Sequence, residues 1–532
     1  MENWILLYSN KNKEARRRIM KTLSKVLSLA VAMLMLASLL AGCGEKQDET
    51  TGTKDSLIFS INADIVSMDC HMARDTVTSI IHYQVYETLV RNQPGEGIVP
   101  GLAESWEFSD DNTEITFKIR ENVKFHNGDI MTAEDVAFSL NRAIASSFTT
   151  SYSGTMDHAE VVDDTHVKLC MKQAFGPVLQ CLSVPCLGIV SKRAVEELGD
   201  EGFASAPVGT GAYKFVERSS GEKIVLQGFE DYWRGAPEIK DLTFMIMTDR
   251  NTAAIALENN EVDVLYSPDL ADREHLESLE NVAFIPGNGS VYMWVIAFNN
   301  ESSIFSDQRV REAISHAINR EEIVDGALNG FGMPVEMPIV PSVFGFDPEF
   351  KNQEYDLEKA KQLLAEAGYP DGLTVTIKLN QSSTYTRPAE IVQAQLRQIG
   401  VNLEFELMER AAFLSDVTTD ANYDITLFMF TAGYPDADYV LYGRMHSSNI
   451  GGTNYIRYNN PDVDALLDKA RSSSDEKERK ELYYKISEYV RDDVPFIPLM
   501  TDNVCIAANS ALKGVQANIG ECHYVFDYSW AE

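Results

Sequence analysis

From Ser56 onward, short apolar or alternating runs take turns with stretches whose apolar residues recur at three and four spacing. The runs at 57–61, 115–119, 167–171, 224–226, 242–247, 292–298, 375–379 and 425–430 carry the period of strands. The stretches at 133–145, 252–259, 309–318, 357–366, 388–399 and 475–491 carry the period of helices. Two of these open on capping residues, Thr132 with Asp135 three positions on and Asp356 with Lys359, and Gly368 follows the second as a C-terminal cap. Strands alternating with helices predict parallel sheets covered by helices on both faces, with ligands at the carboxyl ends of strands or between lobes. Because single cores stop growing well short of 532 residues, two lobes or more are expected. The sequence shows no internal repeat.

The N-terminus carries a different signal. Basic residues between Lys11 and Lys25 precede an uncharged apolar run, 26–42, that ends in Leu40-Ala41-Gly42-Cys43. This is the layout of a secretory signal, and its end resembles a bacterial lipobox, which implies cleavage before Cys43 and a lipid on its thiol. A single transmembrane anchor is the competing reading, but the run is only marginally long enough to span a bilayer. The polar stretch 43–55 that follows reads as a flexible tether. Residues 1–19 precede a second Met, Met20, at which translation can start. No later segment is long and apolar enough to span a membrane.

Charge narrows the partners. The formal net charge is −34, and it becomes more negative once residues 1–42, with seven Lys/Arg and two Asp/Glu, are removed. Nucleic acid is excluded as a partner, since its binding relies on clustered Lys/Arg and no basic cluster lies beyond the leader. Of seven cysteines, Cys43 stands apart, and the rest lack metal-finger spacing. Cys181 and Cys186 either close a small disulfide or stay as buried thiols.

Several segments, in order, are similar to the family 5 extracellular solute-binding proteins of ABC importers, the group that contains dipeptide, oligopeptide and nickel binders. The most specific block runs from Pro100-Gly-Leu-Ala-Glu-Ser-Trp106 through DDNTEITFKIRENVKFHNGDIMTAEDVAFSLNRA. Val208–Phe215 (VGTGAYKF), YWRGAPEIKDLTF, NTAAIALENNEVDV, SDQRVREAISHAINREEIV, YDLEKAKQLLAEAGYPDG and GGTNYIRYNNPDVDALLDKA continue the match. Most of these residues have structural readings: Gly209 and Gly211 permit a tight turn, and Trp106 and Trp233 fill cores. The resemblance implies a two-lobed α/β fold of the type II periplasmic-binding-protein kind. Lobe one would span 56–292 with an extra subdomain at about 75–205, lobe two 293–498, and 499–532 would return to lobe one. Crossover strands are expected near 293–299 and 495–501.

The resemblance also implies a site. In peptide-binding relatives an Asp in a W-x-x-D-Y motif meets the peptide amine and an Arg meets the carboxylate. Here the segment is Phe430-Thr431-Ala432-Gly433-Tyr434-Pro435-Asp436, so Gly433 holds the anchoring position and Phe430 stands for the Trp. Asp436 is the candidate replacement for the amine anchor, or else a turn residue after Pro435. Phe430 either stacks on ligand or fills core, Tyr434 belongs to the same ligand-facing loop, and Arg387, placed before a helix at Pro388, is the carboxylate candidate. Ala63 and Asp64 after the first strand match a cleft-lining segment, with turn capping as the alternative for Asp64.

The implied function is a membrane-tethered binder on the extracytoplasmic face, on a Gram-positive cell surface or in a Gram-negative periplasm. It acts as a monomer without cofactor, taking a di- or oligopeptide by lobe closure and passing it to an ABC permease with its ATPases. Within the same family a nickel chelate, an oligosaccharide or a glycoside is the alternative ligand, with His71 or His446 as candidates toward metal. A secreted hydrolase is disfavoured: there is no G-x-S-x-G, H-E-x-x-H or P-loop, and S-x-x-K at Ser220/Lys223, Ser474/Lys477 and Ser510/Lys513 lacks the S-D-N and K-T-G that would accompany it.

Overall fold

The computed structural model describes residues 54–93, 96–287, 289–518 and 523–531. The leader, Cys43 and the tether to residue 53 lie outside the described residues. Ser56–Ile61 forms the middle of a seven-stranded sheet, ordered Val282–Pro286, Cys505–Asn509, Val264–Tyr266, Ser56–Ile61, Asp241–Ile246, Lys223–Gly228 and Tyr213–Ser219. Its alternate residues Leu57, Phe59 and Ile61 are buried, and Phe59 stacks on Phe244 of the neighbouring strand at 5.3 Å. The second sheet has six strands, ordered Gly332–Pro334, Phe496–Asp502, Tyr292–Phe298, Ile425–Thr431, Leu373–Asn380 and Val401–Met408. Helices cover both sheets. Those that position the site are α1 (Thr76–Val85), α2 (Ser383–Arg397), α3 (Ala437–Met445), α4 (Pro461–Ser472) and α5 (Glu476–Asp493).

The sheets are mixed rather than parallel as predicted. Ser56–Ile61 is parallel to both its neighbours and Leu373–Asn380 to both of its own, while the remaining pairings are antiparallel. The reason lies in the connections. Short turns join Tyr213–Ser219 to Lys223–Gly228, and the second sheet is completed by Phe496–Asp502, which arrives from far along the chain, so the βαβ unit applies only to the two parallel cores.

A third, four-stranded antiparallel sheet (Ala103–Phe108, Glu114–Ile119, His166–Met171, Met156–Asp163) lies under the helix Ala133–Ala145, whose Thr132 and Asp135 form the predicted capping box. Its core gathers residues from Leu89 to Ile189, joined by Tyr434 of the second lobe. This is narrower than the 75–205 expected, because Ile80, Ile81 and Val85 on one side and Ala194, Val195 and Phe203 on the other pack into the first sheet's core. Gly209 and Gly211 do not serve a left-handed turn. A Cβ on either would strike the backbone at the end of α1, 2.1 Å from the Val85 oxygen and 2.4 Å from that of Gln84, so the glycines allow close approach instead.

The expected crossovers, 293–299 and 495–501, are interior strands of the second sheet. The chain passes between sheets just beyond them, at 287–291 and 503–504. There Gly287 N–H donates to the Val504 oxygen at 2.7 Å and Gly289 N–H to Asn503 Oδ1 at 2.8 Å. The return to the first sheet therefore begins at residue 503, and Trp530 near the C-terminus closes it by donating to the Ser56 oxygen at 3.0 Å. Among the described residues no helix is long and apolar enough to cross a membrane.

Candidate functional site

A cleft of about 420 Å³ opens between the lobes. That volume falls in the range of small-molecule sites. The first lobe contributes Arg74, Asp75, Thr76, Ser79 and Tyr83 from the start and one face of α1, then Tyr152 and the segment Ser183–Cys186. The second contributes Val291 and Tyr292 at the link, Ser342, and the run from Thr431 to Pro435 with Tyr439. Asp75 starts α1 by accepting from Thr78 N–H at 3.0 Å, so a helix face at spacing three and four is aimed into the gap.

The loop after Ile425–Thr431 forms the second lobe's wall, but not as the resemblance implied. Phe430 is fully buried and packs on Phe496 at 5.0 Å and Tyr455 at 6.0 Å, with Arg444 over its ring, so it is core. Strand alternation sends it to the inner face. Gly433 does line the cleft, and a Cβ there would lie 2.5 Å from the Tyr439 ring, so the missing side chain is what lets that tyrosine fold over the loop. Tyr434 is nearly buried and joins the lobes: it packs on Phe175 and Tyr152 of the first lobe and donates to Asp438 Oδ2 at 2.7 Å.

Asp436 is not available to a peptide amine. It is fully buried and accepts from Arg479 Nη2 at 2.6 and 2.7 Å, from the Tyr483 hydroxyl at 2.9 Å and, as the N-cap of α3, from Asp438 N–H at 3.0 Å. Asp438 beside it is held by the fork of Arg471 at 2.9 and 2.6 Å. Two consecutive acid–arginine pairs therefore clamp α3 to α4 and α5, and the polar groups that the sequence offered as anchors are consumed by the fold.

The remaining candidates also lie elsewhere. Asp64 accepts from Arg218 at 3.1 Å, Ser220 at 2.9 Å and Gly221 N–H at 2.8 Å, which makes it an organiser of the Tyr213–Gly228 hairpin; neither it nor exposed Ala63 lines the cleft. Arg387 does not precede a helix: α2 starts at Ser383, capped by Ser382, and contains Pro388. Arg387 is exposed on its second turn and donates to Asn329 at 3.1 Å. His71 is buried between Asp69 and Arg142, whose Nη1 lies 2.9 Å from both Asp69 Oδ1 and His71 Nδ1, so a guanidinium fills the Asp69–Cys70–His71 cluster. Burial holds the His71 imidazole down at about 4. His446 stacks on Tyr442 at 4.4 Å and bonds the Ser448 hydroxyl at 2.7 Å. Cys181 and Cys186 are buried free thiols, and Cys186 lines the cleft.

Sequence reasoning missed Arg74, Tyr152, Tyr292 and Tyr439. The Asp75-Thr-Val-Thr start of α1 carried a capping signal that would have placed Arg74 beside a helix N-terminus, whereas nothing local shows that 152 and 439 face each other across a gap.

The lobes also touch outside the cleft. Gly176 N–H of the first lobe donates to the Arg471 oxygen at 2.7 Å. Here even a methyl group is excluded, since a Cβ on Gly176 would lie 1.9 Å from the Ser473 oxygen.

Among known proteins, the family model described as bacterial extracellular solute-binding proteins, family 5 Middle, matches residues 97–452. The chain is similar to heme-binding protein A of Haemophilus influenzae, 29% identical over 513 residues that cover 90% of this chain and 93% of that protein. It is similar also to the glutathione-binding protein GsiB of Escherichia coli K12, 28% identical over 91% of this chain and 95% of that one. A solved structure of DppA from Helicobacter pylori in complex with the peptide STSA superposes with a TM-score of 0.72 at 28% identity, covering 91% of this chain and 99% of that one.

Proposed function

We propose that this chain, which belongs to family 5 of the bacterial extracellular solute-binding proteins, captures a small peptide or peptide-like solute between its lobes and delivers it to an ABC permease. The family acts outside the cytoplasmic membrane, its members bind small solutes for ABC importers, and the protein is a binder rather than an enzyme. Its fold is the two-lobed α/β fold of type II periplasmic binding proteins.

The observation that supports peptide-sized capture is the cleft itself, walled by both lobes and bordered by two short links. Two rigid sheets joined at 287–291 and 503–504 have few backbone torsions through which to move, which is the geometry of a hinge. A solute that touches both walls binds the closed form better than the open one and shifts the population toward it by that difference. The permease then receives the closed form. In this reading Cys43 carries the lipid that keeps the protein at the membrane surface.

A second reading keeps the cleft and replaces the peptide by a non-peptide solute. It is favoured by Asp436, whose carboxylate is spent on Arg479 and Tyr483 and so cannot meet an amino terminus. Thermal shift with the tetrapeptide Ser-Thr-Ser-Ala, glutathione, maltotriose and nickel–histidine separates the readings, because a ligand at a hundredfold over its dissociation constant stabilises by about 2.7 kcal/mol. Stabilisation by the peptides supports the first reading; stabilisation by maltotriose or nickel–histidine alone replaces it with the second.

A further inference from the structure

The extra subdomain lies outside both links, yet the second lobe reaches into its core. Tyr434, from the loop after Ile425–Thr431, is nearly buried among residues of that core, with Tyr439 packed beside it. Its ring centre lies 6.4 Å from Phe175, edge-on, and 6.4 Å from Tyr152, both of the first lobe, and 5.1 Å from Tyr439 of its own lobe. The hydroxyl, by contrast, is satisfied within the second lobe. It donates to Asp438 Oδ2 at 2.7 Å, and the fork of Arg471 holds the same carboxylate. Arg471 makes a second contact across the gap: its guanidinium lies 5.7 Å from the Phe175 ring centre, and its backbone oxygen accepts from Gly176 N–H at 2.7 Å. Beside it, Asn112 Nδ2 of the first lobe donates to the Ser472 oxygen at 3.4 Å. Every one of these contacts is made by protein atoms on both sides.

We infer that Tyr434 is the latch of lobe closure, that Tyr152 and Phe175 of the extra subdomain form its socket, and that the latch adds one common factor to the affinity of every solute the cleft accepts. The hydroxyl keeps its partner whether the lobes are apart or together, because Asp438 travels with Tyr434 on the second lobe. Opening therefore strips the ring of apolar contacts without orphaning a polar group, and the contact can break and re-form. Burying an aromatic ring favours the closed form by about ten- to a hundredfold. A solute that binds the closed form gains affinity in proportion to the fraction of molecules closed, whatever its own chemistry. A residue whose role was to touch solute would act on one solute class more than on another. The extra subdomain thereby acquires a part in binding although most of it lies away from the cleft. The inference rests on the reading of closure around a solute and adds the residue that sets its equilibrium.

The test uses the full chain, with small-angle scattering for lobe separation and calorimetry for the affinities of Ala-Ala-Ala, Ser-Thr-Ser-Ala and glutathione. Tyr434→Ala is expected to enlarge the radius of gyration without solute and to weaken every probe that binds the wild type by one common factor of about tenfold or more. Tyr434→Phe keeps the ring and is expected to stay within about threefold of the wild type. Phe175→Leu, on the other lobe and outside the cleft wall, is expected to weaken the probes by a smaller common factor and to add little in the Tyr434→Ala background. A Tyr434→Ala chain with the wild-type radius, a loss that falls on one probe and spares another, or additive effects of the two substitutions overturns the inference. If no probe binds, the radius without solute decides alone. A wild type that binds a probe and keeps its radius brings down the closure reading itself; one that contracts, with Tyr434→Ala matching it in radius and affinity, brings down the latch only.

Discussion

Replacing Asp436 by Ala removes a fully buried carboxylate that receives four hydrogen bonds. Its main partner, Arg479, is 1% exposed and keeps only the Ala470 oxygen and the Tyr483 hydroxyl as acceptors once the acid is gone. Breaking a buried pair by removing one member costs about 3–5 kcal/mol, because the remaining charge is left unpaired. Loss of the α3 N-cap adds about 1 kcal/mol. For a lobe of this size each kcal/mol lowers the melting temperature by roughly 2–4 °C, so a fall on the order of 10 °C or more is expected in the second lobe's transition. Calorimetric unfolding reads this directly, and Arg479→Met in the Asp436→Leu background should recover most of the loss, since a packed apolar pair replaces the ionic one. If Asp436→Ala melts like the wild type and loses solute affinity instead, the carboxylate is an anchor in the cleft and the packing argument above is wrong.

Other consequences concern closure, tethering and pH. Gly176→Ala should hold the lobes apart at the Arg471–Ser473 contact, giving a larger radius of gyration with saturating solute and weaker binding; an unchanged scattering profile would remove that contact from the closure mechanism. Cys43→Ser should move the protein from the membrane fraction to the medium, and retention at the membrane would point to an uncleaved anchor. Burial holds His71, His82, His126 and His523 at about 4. A folded-state pKa below the unfolded value near 6.5 means that the unfolded chain takes up protons first as pH falls. Stability should therefore be full above about 6.5 and be lost progressively toward about 4; a melting temperature that stays level across that window would contradict the burial of these rings.

The elements were legible because strand and helix periods are local. The helices predicted at 133–145 and 357–366 appear as Ala133–Ala145 and Leu357–Glu366, capped by Thr132 and Asp356 as read. The sequence pattern starts helix α2 five residues late, at Pro388, because proline favours a first turn, whereas the chain accommodates it on the second. The site was legible only in part. Gly433 and Tyr434 were placed on the cleft wall, but Phe430 and Asp436 in the same loop turn inward, and whether a side chain faces ligand or core depends on partners such as Arg479, forty-three positions away. Asp64 and Arg387 failed for the same reason: their partners, Arg218 and Asn329, are set by tertiary structure. Arg74 was overlooked because an arginine next to a helix cap looks like any surface residue until the opposite lobe is in place.

The claim that most of this depends on is that solute sits between the lobes and draws them together. Small-angle scattering of the full chain, with and without a saturating solute identified by thermal shift, measures that motion directly. A smaller radius of gyration in the presence of solute is the predicted result; superimposable profiles, with binding independently verified, would contradict it.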